Sequence, residues 1–318
     1  MNHKGLLVDA TTLWAGEAPN QGPMLLVDLN RGSQIAGKVM LPPIPVLGVG
    51  DGSNPVAEHL DAIVESPIAL ERVVQQVEAS PKAAATVVQL LRMLPGLSIQ
   101  NGLTAESMAY AMLQGSAEHR DWLIARTTDN IPQPEGRVAV LREGDCISIT
   151  LDRPEAGNAI DRAMRDALYE AFSLATLDNS VERVLLQGNG KTFSLGAELS
   201  EFGTTTDPAT AHAIRCRTLP VRMAALCTDR FEVHVQGGCV GAGLEIAAYA
   251  NRFTATSNAW FQLPELSMGI LPGAGGCVSL TRRIGRQRTA LMILSGKRLN
   301  ARTALEWGLI DAIVDDPA

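Results

Sequence analysis

The segment Gly237-Gly238-Cys239-Val240-Gly241-Ala242-Gly243 constrains this chain more than any other. It follows an alternating run, Phe231-Glu232-Val233-His234-Val235, and leads into Leu244-Glu245-Ile246-Ala247-Ala248-Tyr249-Ala250. A strand, a tight glycine-rich turn and a helix in that order make an α/β unit. Helix and strand also alternate upstream. A helical stretch capped by Asp161, with Met164, Leu168, Ala171 and Phe172 on one face, precedes the buried strand Val184-Leu185-Leu186, which closes on Gly188-Asn189-Gly190. Residues 138–141 and 146–151 flank the turn Glu143-Gly144-Asp145 and read as a β-hairpin. The fold class expected is α/β.

Each glycine cluster fails the spacing of a known nucleotide or hydrolase loop. Gly190-Lys191-Thr192 has the end of a phosphate loop, but the first glycine of that motif falls on Leu185. The cluster at 237–243 lacks the order that fits a pyrophosphate. Ser194 is not on a nucleophile elbow, because Thr192 stands where the first glycine belongs. What remains is the backbone itself. Glycine lets main-chain N–H groups approach a ligand, and two of them can hold an oxygen that gains negative charge. Gly196-Ala197 and Gly241-Ala242-Gly243 are the two places for this. Glycine content alone favours plain tight turns at both.

Composition removes other classes. The 318 residues carry a formal net charge of −7 and only 4% aromatics, so neither a broad basic face for nucleic acid nor a stacking platform is expected. The five cysteines include no Cys-x-x-Cys pair and the five histidines no ligand spacing, so no metal site and no disulfide framework are expected. The N-terminal stretch lacks a signal-peptide pattern and no apolar run reaches a membrane span, which reads as a cytoplasmic protein without membrane association. His234, alone in its strand, is expected to be packed or hydrogen-bonded rather than catalytic.

Residues 1–126 form an N-terminal α/β extension of unknown role. Residues 25–29 and 46–49 are short apolar runs that suit buried strands. Leu70, Val73, Val74 and Val77 share a helical face that stops near Ser80-Pro81, and a second helix runs to Pro95-Gly96. A third is expected to start with Thr104 as N-cap and end at Gly115. No acid, histidine or cysteine constellation in these stretches connects to chemistry. Residues 127–136, TTDNIPQPEG, carry the signature of a linker.

From about residue 137 to 315 the chain resembles the crotonase (enoyl-CoA hydratase/isomerase) superfamily. The resemblance rests on the order of its motifs: residues 152–160 (DRPEAGNAI), 190–199 (GKTFSLGAEL), 237–245 (GGCVGAGLE), Leu263-Pro264-Glu265 with residues 269–276 (GILPGAGG), and 295–301 (SGKRLNA) followed by Ala304 and Trp307-Gly308-Leu309-Ile310-Asp311. It implies a crotonase-like ββα-superhelix core over residues 137–318, with the extra N-terminal α/β segment added. It further implies an acyl-CoA thioester as substrate, CoA being part of that substrate and no cofactor being needed. The thioester oxygen would lie between the backbone N–H groups of Ala197 and Ala242, the oxyanion hole. Glu245 and Glu265 match the paired glutamates of the family's hydratases. Arg153, Leu195, Gly196 and Gly241 match positions along the substrate and CoA path. The implied activity is hydration of a 2-enoyl-CoA; isomerisation, thioester hydrolysis or C–C cleavage on the same fold, or non-catalytic acyl-CoA binding, are the alternatives. A homo-oligomer, trimer or hexamer, is implied as well.

Two carboxylic groups suit this chemistry, one taking a proton from water and the other delivering one to the α-carbon. Glu245, in the first turn of its helix, is expected to be held as the anion by the helix dipole. Glu265, amid apolar residues, is expected to have its pKa raised by burial. The pattern departs from the family at Ala242, usually Gly, at Leu195, usually small, and at Glu198, usually Asp. The C-terminal helices that cover the acyl pocket in the family are expected to be short or missing here, and residues 1–126 are expected to replace that cover, shape the pocket or bind a partner.

Overall fold

The computed structural model describes residues 22–31, 40–126 and 133–315, together with the backbone of residues 7–8. Most of the expected linker, residues 127–132, lies outside the described residues. The N-terminal part builds a parallel four-stranded sheet from β1 (Leu7–Val8), β2 (Leu25–Asp28), β3 (Val46–Val49) and β4 (Ala62–Ile63), in that order. Four helices follow: α1 (Leu70–Ala79), α2 (Pro81–Met93), α3 (Ile99–Gln114) and α4 (Ala117–Ala125). The two strands and the first two helices stand where the apolar patterns put them. The third helix starts earlier than expected. Ser98, not Thr104, is its N-cap and accepts from the Asn101 N–H, while the Thr104 hydroxyl turns back to the Gln100 carbonyl inside the helix.

The remainder is a ββα spiral. The hairpin β5 (Arg137–Glu143) and β6 (Cys146–Asp152) turns at Gly144 (φ 62°), and β6 alternates Ile147, Ile149 and Leu151 inward. Asp161 caps α5 (Arg162–Leu177) by accepting from the Met164 N–H, and the expected face of that helix is buried. Then come β7 (Arg183–Gly188), α6 (Pro208–Thr218), α7 (Val221–Ala224), β8 (Phe231–Val235), β9 (Gly238–Val240) and α8 (Ala242–Ala247). The chain continues through β10 (Arg252–Ala255), β11 (Trp260–Gln262), α9 (Gly276–Ser295), β12 (Leu299–Asn300), α10 (Ala301–Glu306) and β13 (Ala312–Ile313). One sheet has the order β13-β10-β8-β7-β6-β5, parallel except for the hairpin; a second has β12-β11-β9.

The two parts of the sequence share one core. Val87, Leu103 and Leu113 of the N-terminal helices belong to the same buried cluster as Phe172, Leu244 and Leu280. Gly102 of α3 is small for a reason, because a Cβ there would meet Val278 Cγ2 of α9 at 3.1 Å. A buried carboxylate, Asp61, accepts from Arg92 Nε and Nη2 (2.8 and 2.6 Å) and from Arg286 of α9 (3.3 Å). Arg72 of α1 donates to the carbonyls of Ser295 and Gly296 at the far end of α9. Among the described residues no helix is long and apolar enough to cross a membrane.

Candidate active site

The two glycine loops are stitched to each other. Ser194 N–H donates to the Gly238 carbonyl (3.0 Å) and Val240 N–H to the Ser194 carbonyl (2.9 Å). Gly196 takes φ 99°, and a Cβ on it would press on the Val240 carbonyl oxygen at 3.2 Å; Gly241 takes φ 46° and donates to the Gln262 carbonyl at 3.0 Å. Both positions need glycine, one for close approach and both for a left-handed backbone. Each loop therefore presents the amide of its next residue, Ala197 or Ala242. Neither amide is spent in a hydrogen bond among the described residues, although the flanking Gly196 carbonyl and Glu198 N–H are both tied to Ile160.

Ala197, Ala242, Glu245 and Glu265 all line one cavity of about 480 Å³. Glu265 opens a 3₁₀ turn, Glu265–Met268, after Pro264, and is 8% exposed. Its Oε1 lies 2.7 Å from where a Cβ on Gly241 would sit, so the missing side chain is what admits the carboxyl group. Its Oε2 is buried without a hydrogen-bond partner among the described residues. Burial, reinforced by the charges of Glu245 and Glu106, pushes its pKa well above the usual carboxylate range. This is the direction expected from the sequence.

Glu245 departs from expectation. It is 2% exposed, and its Oε2 accepts from the Ala274 N–H (2.7 Å) and the Gly276 N–H (2.8 Å). Burial pushes its pKa up to about 7, and the two amides only moderate the rise. Its place in the first turn of α8 does not keep it at the ordinary carboxylate value, because desolvation is the largest influence on it.

The other positions divide. Gly196 and Gly241 stand directly behind the two amides rather than in the cavity wall. Leu195 is 46% exposed, outside that wall, with its methyls against Gly157 and Gly238. Arg153 is corrected from a CoA-facing cation to an internal latch. It is 4% exposed, and its guanidinium is taken by the Pro134 carbonyl (2.7 Å), the Ala159 carbonyl (3.0 Å) and the Glu198 carboxylate (2.7 Å). With 4% exposure and Nε and Nη1 held by these acceptors, the side chain is spent mainly inside the fold. Glu198, held below its ordinary pKa by Ser200 and Arg153 against the opposing effect of burial, completes that latch. His234 packs in β8 with Nδ1 2.9 Å from Thr254 Oγ1 and is not part of the cavity wall.

The N-terminal part supplies residues that sequence reasoning missed. Tyr110 and Gln114 of α3 line the cavity, with the Tyr110 ring pressed on Gly273. Glu106, one turn earlier and 1% exposed, accepts from the Gly275 N–H (2.7 Å) and the Val278 N–H (3.3 Å). Burial and the charge of Glu245 push its pKa well up. The signal for Glu106 was its spacing from Leu103 and Leu113, which puts an acid on the apolar face of a helix.

The family model for enoyl-CoA hydratase/isomerase matches residues 142–317. The chain is 34% identical to 2,3-dehydroadipyl-CoA hydratase of Escherichia coli (strain K12) over 174 residues, covering 55% of this chain and 68% of that one. It is 30% identical to trans-2-decenoyl-acyl-carrier-protein isomerase of Streptococcus mutans, covering 51% and 64%. Among solved structures, an enoyl-CoA hydratase/isomerase from Mycobacterium abscessus superposes with a TM-score of 0.53 at 34% identity, over 57% of this chain and 71% of its own. An enoyl-CoA hydratase from Thermoplasma volcanium gives 0.50 at 38% identity, over 56% and 72%. The chain thus spans about two thirds of the length of these curated relatives.

Proposed function

The chain belongs to the enoyl-CoA hydratase/isomerase family, and from that premise we propose that it adds water across the double bond of a 2-enoyl-CoA thioester. The observation that carries this reading is the sharing of one cavity by two unspent amides, Ala197 and Ala242, and two carboxyl groups, Glu245 and Glu265. The amides hold the thioester oxygen as the enolate forms. Glu245, titrating near neutrality with two amides supporting its charge, takes the proton from water as the hydroxyl oxygen adds to the β-carbon. Glu265, holding its proton in the buried site, delivers it to the α-carbon as the enolate collapses. The product is the 3-hydroxyacyl thioester, and the two carboxyl groups have exchanged protonation states.

The CoA is part of the substrate, and the reaction needs no other cofactor. Association into a trimer or hexamer and a cytoplasmic location complete the proposal; the exposed Leu174, Leu177 and Leu226 support an association surface. Incubation with crotonyl-CoA and longer 2-enoyl-CoAs tests the reading, with loss of the conjugated absorbance and appearance of the 3-hydroxyacyl product expected. A shifted double bond with no hydrated product would assign the isomerase reaction instead. Full turnover by Glu265→Gln would defeat the acid–base assignment.

A further inference from the structure

Three arginines face the cavity: Arg162, Arg165 and Arg215. Arg162 has the Glu201 carboxylate at 3.9 Å and Arg165 has Asp166 at 2.7 Å. Among the described residues Arg215 has no carboxylate within that range. Its guanidinium lies over the Tyr110 ring, 4.4 Å from the centroid, and its acceptors are neutral: Ser107 Oγ (3.1 Å), the Ser107 carbonyl (3.2 Å) and Gln114 Oε1 (3.3 Å). A guanidinium has five N–H donors, and these three contacts leave two without an acceptor.

The placement is built rather than incidental. Arg215, on α6, is half-buried and held by three residues of α3, so its position is fixed by the packing of two helices. Tyr110, on which it stacks, also presses on Gly273, next to the residue whose amide supports Glu245. Glu106, one turn before Tyr110, makes no ion pair with Arg215; its oxygens are taken by the Gly275 and Val278 amides. A methyl-ended acyl chain entering this wall would strip water from a guanidinium and return nothing to it.

We infer that Arg215, Tyr110 and Gln114 form a subsite for a carboxylate at the ω-end of the acyl chain, so that the preferred substrates are 2-enoyl-CoA thioesters of dicarboxylic acids. The inference rests on the acyl-thioester reading above. A guanidinium reads a carboxylate through paired, charge-assisted hydrogen bonds, and a site built for such a group rejects analogues that lack it. Two of the three subsite residues lie upstream of the family-matched region, which gives the N-terminal part a role in substrate selection.

The test is calorimetric binding of saturated acyl-CoAs in matched pairs: succinyl- with butyryl-CoA, adipoyl- with hexanoyl-CoA, suberyl- with octanoyl-CoA. Wild type is expected to favour the dicarboxylic member of at least one pair by about 10-fold or more, as for hydrogen bonds to a charged group, and Arg215→Gln to bring that ratio near one. Should the glutamine variant not fold, Arg215→Lys keeps the charge but not the planar fork and is expected to lower the ratio several-fold. No dicarboxylic preference in any pair, or a preference unchanged in the folded variant, overturns the inference. Saturated chains cannot be hydrated, so binding tests the subsite alone. Preference without turnover of the 2-enoyl forms would sink the hydratase reading, and turnover without preference would sink only the subsite.

Discussion

Glu106 and Glu245 grip alternate amides of one turn. Ala274 and Gly276 donate to Glu245, and Gly275 and Val278 donate to Glu106. These amides open α9, so two side chains distant in sequence satisfy donors that a helix start leaves free. One of them also faces the cavity. Glu106→Ala would bury two unpaired N–H groups, at a cost of about 1–3 kcal/mol each. The expected outcome is a lower urea midpoint together with reduced turnover, as the turn that supports Glu245 loosens. Glu106→Gln keeps one acceptor oxygen and should recover part of both. An alanine variant as stable as wild type would show that the amides find other partners.

The pH dependence of kcat/KM follows from the two raised carboxyl groups. Glu245 must be ionised to act as base, so activity should fall about tenfold per unit as pH drops below about 7. Glu265 must be protonated to act as acid, so activity should fall again once pH passes its raised value. The profile is a bell displaced to the alkaline side of an ordinary carboxylate pair. Glu245→Gln should remove the acidic limb and Glu265→Gln the alkaline one, each with a rate loss of about 10²–10⁴. A flat profile from pH 5 to 8 in wild type would contradict the assignment of Glu245 as the base.

What could be read of this site came from the family resemblance together with the local residue chemistry, and what was missed has a physical cause. Gly196 and Gly241 carry a backbone requirement that glycine announces, but glycine alone pointed to plain turns; the roles of Ala197, Ala242, Glu245 and Glu265 came from the family resemblance. The direction of the Glu265 shift followed from its apolar neighbours. Arg153 misled because a motif position says nothing about enclosure; the carbonyls of Pro134 and Ala159 that occupy it come together only in the fold. Glu106 showed only as an acid on an apolar helix face, and neither it nor Tyr110 or Arg215 could be joined to the site, for a related reason. Their partners lie more than a hundred positions away, and no local pattern encodes a pairing between α3 and α6 or α9. Thr104 shows the limit of capping rules, since a good cap residue also serves inside a helix when its hydroxyl can reach the preceding turn.

Ala242→Pro tests one amide. Ala242 is the first residue of α8, the position where a helix tolerates proline best, and Gly241 before it carries no side chain to clash. The substitution replaces the N–H with the ring Cδ, so it removes the donor and also crowds the place the thioester oxygen would take. Turnover of a 2-enoyl-CoA should fall about 10²–10³-fold, the loss found when one oxyanion donor is removed, with the far-ultraviolet circular dichroism unchanged. A folded proline variant that keeps its rate would remove Ala242 from the oxyanion site.

Glu265 should weaken the fold it serves. Its folded-state pKa lies well above the ordinary 4.5, so the native state holds the proton more tightly than the unfolded chain does. The stability from that proton is complete below pH ~4.5 and is lost as pH rises toward the raised folded value. Glu265→Gln carries no such proton and retains a hydrogen-bonding group beside the partnerless Oε2 position. The variant should therefore melt higher than wild type, by a margin that grows between pH 5 and pH 8, while losing turnover. Paired thermal melts at the two pH values measure this directly. A margin independent of pH would mean that Glu265 titrates no differently in the folded chain than in the unfolded one, and it would then hold no proton to deliver at neutral pH.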